Sequence, residues 1–181
     1  KKYYDLLDEK FLSYDKYICA KETAYKNKIQ KSTKSLRIIP MSKCTRKFAS
    51  SDYAEEILVF VKEMTGISKK AAEVILDAFE KHPEAVIVYG DEDEWNSDKQ
   101  IRMNPWFKPD YSPETLLSYF YFGGFVAVRR SAAIKVIKEL AGYEKTLIEL
   151  DESDRRTLYE LILQICMPLK RTQVYHCKKM L

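Results

Sequence analysis

Residues 85–94 read AVIVYGDEDE, an unbroken apolar run of strand length, 85–89, that ends abruptly at Gly90 and four consecutive carboxylates. A run of strand length with no polar alternation reads as a strand covered on both faces, the situation of strands in a parallel sheet. The reading extends outward from there. Upstream, Ser68 is placed to cap a helix whose apolar positions Ala72, Ile75, Leu76 and Phe79 recur at helical spacing, and His82–Pro83 stops it. Before that helix lie three short apolar runs of strand length: 17–20 (YICA), 36–39 (LRII, closed by Pro40) and 57–61 (ILVFV). Downstream, the stretch from Trp95 to Tyr111 reads as a loop rich in aromatics and prolines. Ser112, Pro113 and Glu114 form a helix start signal. Residues 125–128 (FVAV) follow Gly123–Gly124 as a further strand. Ser131 opens a helix that runs to Gly142, and Leu158, Leu161, Ile162 and Ile165 mark a last amphipathic helix stopped by Pro168. This alternation predicts one α/β domain over residues 1–181, with a largely parallel central sheet flanked by helices.

Composition narrows the function classes. The chain has 181 residues, 46% hydrophobic and 32% charged, with 13 Tyr, 8 Phe and 2 Trp; so much aromatic surface excludes disorder as the main state. No apolar run reaches the roughly 18 residues needed to span a bilayer, and no secretory signal opens the sequence, so a cytoplasmic setting is expected. Charge is uneven: residues 1–47 carry 13 basic and 5 acidic side chains, net +8, and the remainder carries 18 and 22, net −4. A basic N-terminal third fits either a polyanionic ligand or anionic membrane surface, or a solvated helical face. Nucleic-acid binding through it is the weaker reading, and it would require a steep salt dependence. Cys19, Cys44, Cys166 and Cys177 form no C-x-x-C pair, and only His82 and His176 could join them, so reduced thiols are expected rather than a zinc site.

The chemistry-bearing feature is the strand that runs into Asp91-Glu92-Asp93. Ligands of open α/β sheets bind at the carboxyl ends of strands. Two carboxylates at that point, Asp91 and Asp93, can chelate a hard divalent ion such as Mg²⁺ or Mn²⁺, and such an ion neutralises a diphosphate leaving group. The alternative is an ordinary acidic surface loop. No G-x-G-x-x-G or Walker pattern is present, which disfavours nucleotide recognition through those folds. Trp95, Trp106, Phe107, Tyr111, Tyr119 and Tyr121 supply flat faces of the kind on which sugars or bases stack, or else pack the loop. Arg102, Lys108, Arg129 and Arg130 lie in the same stretch, available to phosphate or to neighbouring acids.

The segments HPEAVIVYGDEDEW and NPWFKPDYSPETLLSYFYFGGFVAVRRS resemble family-2 glycosyltransferases of the rhamnosyltransferase-like, cell-surface polysaccharide type. Those enzymes carry a Tyr-Ser-Asp-Glu-Asp element, a Phe-Lys-Pro-x-Trp-Ser-Pro element and a Tyr-x-Gly segment leading into Arg-Arg. The matching residues are Tyr89 to Asp93, Phe107 to Pro113 and Tyr121 to Arg130; AGYE, LYELILQI and QVYHCKKML keep the family order, and the match is best over 68–181. The resemblance implies a GT-A fold, a nucleoside-diphosphate-sugar donor and a glycan or lipid-linked acceptor. It also implies a divalent metal, Mn²⁺ or Mg²⁺, and an inverting mechanism in which a carboxylate deprotonates the acceptor hydroxyl, at the inner face of the cell membrane or in the cytoplasm. Carried over by position, Asp91 and Asp93 hold metal and diphosphate with Glu63 as an outside candidate, and Trp106, Lys108 and Tyr121 face donor or acceptor. Asp154 stands in for the base.

The sequence also departs from that pattern. Lys62-Glu63-Met64-Thr65 offers one carboxylate where the family has an Asp-rich motif, Lys21-Glu22-Thr23 replaces an acidic nucleoside-holding element, Leu158 occupies the usual base position, and the fold's first strand is not found upstream of Lys1. A catalytically degenerate domain, binding carbohydrate or acting as a scaffold, is the competing expectation.

Overall fold

A computed structural model of the chain describes residues 14–18, 22, 34–41, 54–62, 70–143 and 155–181. Six strands form one mixed sheet: β1 (Leu36–Pro40), β2 (Ile57–Val61), β3 (Ile87–Asn96), β4 (Ile101–Trp106), β5 (Phe125–Arg129) and β6 (Val174–Met180). Among the described residues, four helices of six or more residues accompany them: α1 (Ala71–Lys81), α2 (Pro113–Ser118), α3 (Arg130–Tyr143) and α4 (Arg155–Cys166). The spatial order is β1-β2-β5-β3-β4, with β6 also paired to β3.

The sheet is flanked by helices as expected, but it is not largely parallel. β1–β2 and β3–β6 are parallel pairs, whereas β5 runs antiparallel between β2 and β3 and β4 returns antiparallel along the second half of β3. Apolar runs announce the existence of a strand, not its direction, and FVAV re-enters the sheet reversed.

The period-two alternation of side chains distributes the core over both sheet faces. Ile57, Val59, Val61 and Val88 pack with Ala71, Val74, Ile75, Ala78 and Phe79 of α1. Leu58, Phe60, Ile87 and Tyr89 point the other way, into a cluster with Leu116 of α2, Ala133 and Val136 of α3, and Leu161, Ile162 and Ile165 of α4. Leu161, Ile162 and Ile165 of α4 and Ile75 and Phe79 of α1 are core positions as read from sequence, but Ala72 and Leu76 are only half-buried and the inner face of α1 is turned toward Ala71, Val74 and Ala78. The expected cap of α1, Ser68, lies outside the described residues, and Lys70 at the helix start makes no side-chain cap bond. Ser112 does cap α2: its Oγ accepts from the Thr115 amide at 3.2 Å, with Pro113 in the first turn.

Four further expectations change. Residues 14–18 are helical, so Tyr17 and Ile18 of the expected 17–20 strand are not in the sheet; Cys19 and Ala20 lie outside the described residues. Four apolar residues carry no periodicity of their own, and Tyr14 and Ile18 share a helix face. β3 does not stop at Gly90 but continues to Asn96. The Trp95–Tyr111 loop folds its first part into the β3–β4 hairpin; Asn104 takes φ +50° beside a register shift opposite Glu92–Glu94, where its side-chain amide donates to Glu94 at 2.6 Å. Finally, the C-terminal run Val174–Met180 is a strand, β6, that the sequence reading did not identify.

Candidate functional site

Asp91, midway along β3, and the carboxyl end of β6 meet the start of α1 and the 14–18 helical segment around a cleft of about 160 Å³. Asp91 lies within it, Lys70 and Val74 of the α1 side and Lys178 and Lys179 of β6 contribute to its wall, and Phe107, Tyr17 and Glu22 also line it. The sheet places Asp91 here because β3 and β6 run parallel side by side, Gly90 opposite Cys177 and Asp91 opposite Met180 across a bulge. Gly90 is required by this approach. A Cβ there would lie 2.3 Å from Leu181 Cδ1 and 2.9 Å from the Lys179 carbonyl.

Asp91 is fixed by two donors. Its Oδ1 accepts from the Lys108 backbone N–H at 2.9 Å and lies 2.8 Å from His176 Nε2. His176 Nδ1 lies 3.0 Å from Asp110 Oδ1, and the imidazole stacks on the Tyr89 ring, centroids 4.8 Å apart and planes 4° off parallel. A histidine set between two carboxylates can donate to both when its ring carries two protons. Asp110 is otherwise exposed, and its bonds to His176 and Lys178 hold its carboxyl below the ordinary carboxylate value.

The segment 107–112 (FKPDYS), the centre of the family-like motif, is the brace for this arrangement. Lys108 is turned inward with no side-chain exposure, donating to Glu92 Oε1 at 2.7 Å and to the Phe122 carbonyl at 2.6 Å, with its ammonium 5.2 Å from the Trp106 ring centroid. Burial draws its pKa below the ordinary lysine value, against the opposing pull of Glu92. Three tyrosines pin the same segment: Tyr89 Oη donates to the Pro109 carbonyl at 2.6 Å, Tyr111 Oη donates to the Cys166 carbonyl at 3.3 Å, and Tyr121 Oη accepts from the Ser112 amide at 2.9 Å. Burial raises the pKa of all three phenols.

Asp93 is engaged differently. Its Oδ2 accepts from Arg102 Nε at 2.7 Å and from Tyr14 Oη at 2.6 Å, and its Oδ1 accepts from Arg102 Nη2 at 3.2 Å. Arg102 Nη1 also donates to Glu22, and the Arg102 amide donates to Asp15 Oδ1 at 3.0 Å. Burial opposes the charge on Arg102, but the bonds to Asp93 and Glu22 outweigh it and its pKa lies above the ordinary value.

The expected site residues therefore separate. Asp91 lines the cleft; Asp93 sits in a closed ion-pair cluster; Lys108 and Tyr121 are buried supports. Trp106 is half-buried beside the exposed Tyr119, ring centroids 6.2 Å apart, and it is Phe107 that lines the cleft. Asp154 and Glu63 lie outside the described residues. No protein-family model and no curated protein matches this chain. The residues that sequence reasoning missed are Glu22, Lys70, His176, Lys178 and Lys179. The signal for three of them was the alternating run VYHCKKM, whose Val174 and His176 are buried on one face of a strand.

A divalent cation needs oxygen ligands with uncommitted lone pairs. Both oxygens of Asp93 face the Arg102 guanidinium, and Asp91 Oδ1 receives two donors. Among the described residues no three His, Cys, Asp or Glu side chains converge as a metal-ligating group. These residues do not fit the metal that the sequence resemblance implies. Among the described residues, no helix is long and apolar enough to cross a membrane.

Proposed function

We propose that this domain is a glycosyltransferase of the family-2 kind with a GT-A-like architecture. In this reading it binds a nucleoside-diphosphate sugar in the cleft between Asp91 of β3 and the end of β6 and passes the sugar to a glycan or lipid-linked acceptor with inversion. The observation that carries the reading is the cleft itself: a carboxylate where the β3–β6 pairing ends, with Lys70, Lys178 and Lys179 around it and the start of an 11-residue helix on its wall. Cations and the positive end of a helix are the features that favour a diphosphate, and the carboxyl ends of strands are where α/β sheets bind ligands. Lys178 pairs with Asp110 at 3.2 Å, both side chains 69% exposed; an ion pair of that kind is worth little and leaves the ammonium available to an incoming anion.

The chemistry follows from the donor. A carboxylate takes the acceptor hydroxyl proton, the oxygen attacks the anomeric carbon from the face opposite the nucleotide, and the diphosphate departs with the bonding electrons while lysine cations offset its growing charge. Asp154, just upstream of the Leu158 that occupies the family's base position, is the proposed base. Acceptors of this class place the enzyme in the cytoplasm at the inner face of the membrane, held peripherally.

Titration of the chain with UDP, GDP, dTDP and CDP, followed by thermal unfolding, tests the reading. A bound nucleotide at about 100 times its Kd stabilises by about 2.7 kcal/mol, several degrees for a domain of this size. Stabilisation by one nucleotide, weakened when Lys178 and Lys179 are replaced by Ala, is the expected result; no shift with any of the four overturns it.

One observation favours a second reading, a degenerate domain that keeps the architecture and binds carbohydrate without transfer. Asp93, Lys108 and Tyr121 are all consumed by internal contacts. Affinity for a glycan together with none for any nucleotide would identify it.

A further inference from the structure

We infer that Arg102 is a fixed cation standing where the acidic end of β3 would otherwise collect a divalent ion, so that this strand end is closed to Mg²⁺ and Mn²⁺ and the cleft recognises its anionic ligand with protein cations alone. Its guanidinium meets Asp93 in a forked contact through Nε and Nη2, at 2.7 and 3.2 Å, and turns Nη1 to Glu22; its backbone amide takes Asp15. Carboxylates from three separate places in the chain thus converge on one residue. Arg102 and Asp93 side chains are 16% and 10% exposed, so the pair is largely desolvated, the setting in which a forked arginine–carboxylate contact is strongest. Tyr14 adds a neutral donor to Asp93 Oδ2 at 2.6 Å. Arginine does not lose its proton in a protein, so, unlike lysine or a bound metal, this charge is neither titrated nor exchanged. Entry of a metal ion would require expelling the guanidinium and leaving it without counter-charge in a partly buried place. Glu22 belongs to both the cluster and the cleft wall, which puts the neutralised acids at the edge of the ligand site rather than remote from it.

The metal half of the inference stands on the ion-pair geometry; the ligand half rests on the proposed nucleotide site. Two measurements separate them. Titration of the chain with Mn²⁺ alone, read by the loss of the free-ion EPR signal, is expected to show no site tighter than about 1 mM. Arg102→Ala and Arg102→Gln, each checked for native circular dichroism, release Asp93 and Glu22 while the backbone amide still holds Asp15, and are expected to gain Mn²⁺ affinity by about tenfold or more, while Arg102→Lys, which keeps the charge, gains less. Calorimetric titration with UDP, GDP, dTDP and CDP in EDTA and again in Mn²⁺ is expected to give the same Kd within about twofold. A wild-type Mn²⁺ site that Asp93→Asn abolishes, or folded Arg102 variants that gain no Mn²⁺ affinity, overturns the assignment of Arg102. Nucleotide affinity that appears only with Mn²⁺ overturns the claim that protein cations suffice. Absence of nucleotide binding in both buffers overturns the glycosyltransferase reading and with it the ligand half, while the Mn²⁺ titration still decides the role of Arg102.

Discussion

At Lys108 the ammonium nitrogen lies 2.7 Å from Glu92 Oε1 and 2.6 Å from the Phe122 carbonyl, and the side chain has no exposure. Glu92 Oε1 also accepts from the Gly124 amide at 2.7 Å, and a Cβ on Gly123, which holds φ +75°, would lie 2.5 Å from it. One carboxylate thus ties β3 to the turn that begins β5 and to the 107–112 brace. Removing the cation leaves the Phe122 carbonyl without this donor and the part-buried Glu92 carboxylate with the Gly124 amide but no counter-charge, so Lys108→Met is expected to destabilise by about 2–3 kcal/mol in urea unfolding. A loss below about 0.5 kcal/mol, ordinary for a surface change, would show that the contact is not closed to water. The cysteines allow a second expectation at this scale. Burial pushes the thiols of Cys166 and Cys177 up to about 12, and the thiolate is the reactive form. Site-resolved iodoacetamide labelling at pH 8 should therefore leave both unmodified in the native protein and modify them after unfolding; modification at a native rate near that of free cysteine would contradict it.

Among the elements, β6 decides the site, because it delivers His176, Lys178 and Lys179 beside Asp91. Its docking leaves no room at Gly90, where an added Cβ would meet backbone at Lys179 as well as the Leu181 side chain. Gly90→Ala is expected to cost about 1–3 kcal/mol through overpacking and to weaken ligand binding at the cleft with it; unchanged thermal stability would mean that β6 pairs with β3 more loosely than the register implies. The bridge from β6 to the 107–112 segment runs through His176 and Asp110. Because the folded-state pKa of Asp110 is depressed, its stabilising contribution is present above the ordinary carboxylate pKa and is lost as pH falls through the lower, folded value. Wild type and Asp110→Asn should therefore differ near neutrality by under about 1 kcal/mol, the scale of an exposed pair, and converge in strong acid. A gap that stays constant down to the acid limit would assign the effect to something other than this titration. These elements also show which parts of the molecule the sequence disclosed. β2, β5, α1 and α2 were legible because continuous apolar runs, helical spacing and the Ser-Pro-Glu start are local signals. β6 was not, because its Lys178-Lys179 pair breaks the apolar run, and β4 was not, because Pro105 and Asn104 argue against a strand in any window. The partners of Asp91, Asp93 and Lys108 come from 9 to 85 residues away, beyond the reach of helix or strand periodicity; the sequence marked the acidic run as the place for chemistry and could not distinguish the carboxylate that faces the cleft from the one that faces an arginine.

Across the whole molecule, stability is expected to be graded by how many layers cover each strand. Ile87–Tyr89 of β3 pair on both sides, with β5 and with β6, and both faces of the sheet there are packed: Val88 against the α1 side, Ile87 and Tyr89 against the α2–α4 side. Val126–Val128 of β5 lie between β2 and β3 with the same two-sided cover. The β3–β4 hairpin is different in kind. None of the six residues of β4 is buried, and among the described residues the strand pairs with β3 alone, so its hydrogen bonds, apart from those near Trp106, which packs against one core cluster, can open with little disturbance of the core. Native-state hydrogen exchange should accordingly show the ladder amides of 87–89 and 126–128 exchanging only through global unfolding, with a denaturant dependence matching the equilibrium m-value. Those of Ile101–Trp106 should exchange through local opening at distinctly lower free energy and with little denaturant dependence. The hairpin carries Arg102, so this grading also predicts that the Asp93 contact is the strongest restraint on it. In Arg102→Gln the β4 amides should lose protection while those of 87–89 exchange as before, relative to the variant's own global stability. Equal protection across β3, β4 and β5 would mean that the hairpin is part of the cooperative core and that Arg102 is one contact among many rather than the anchor of the strand end.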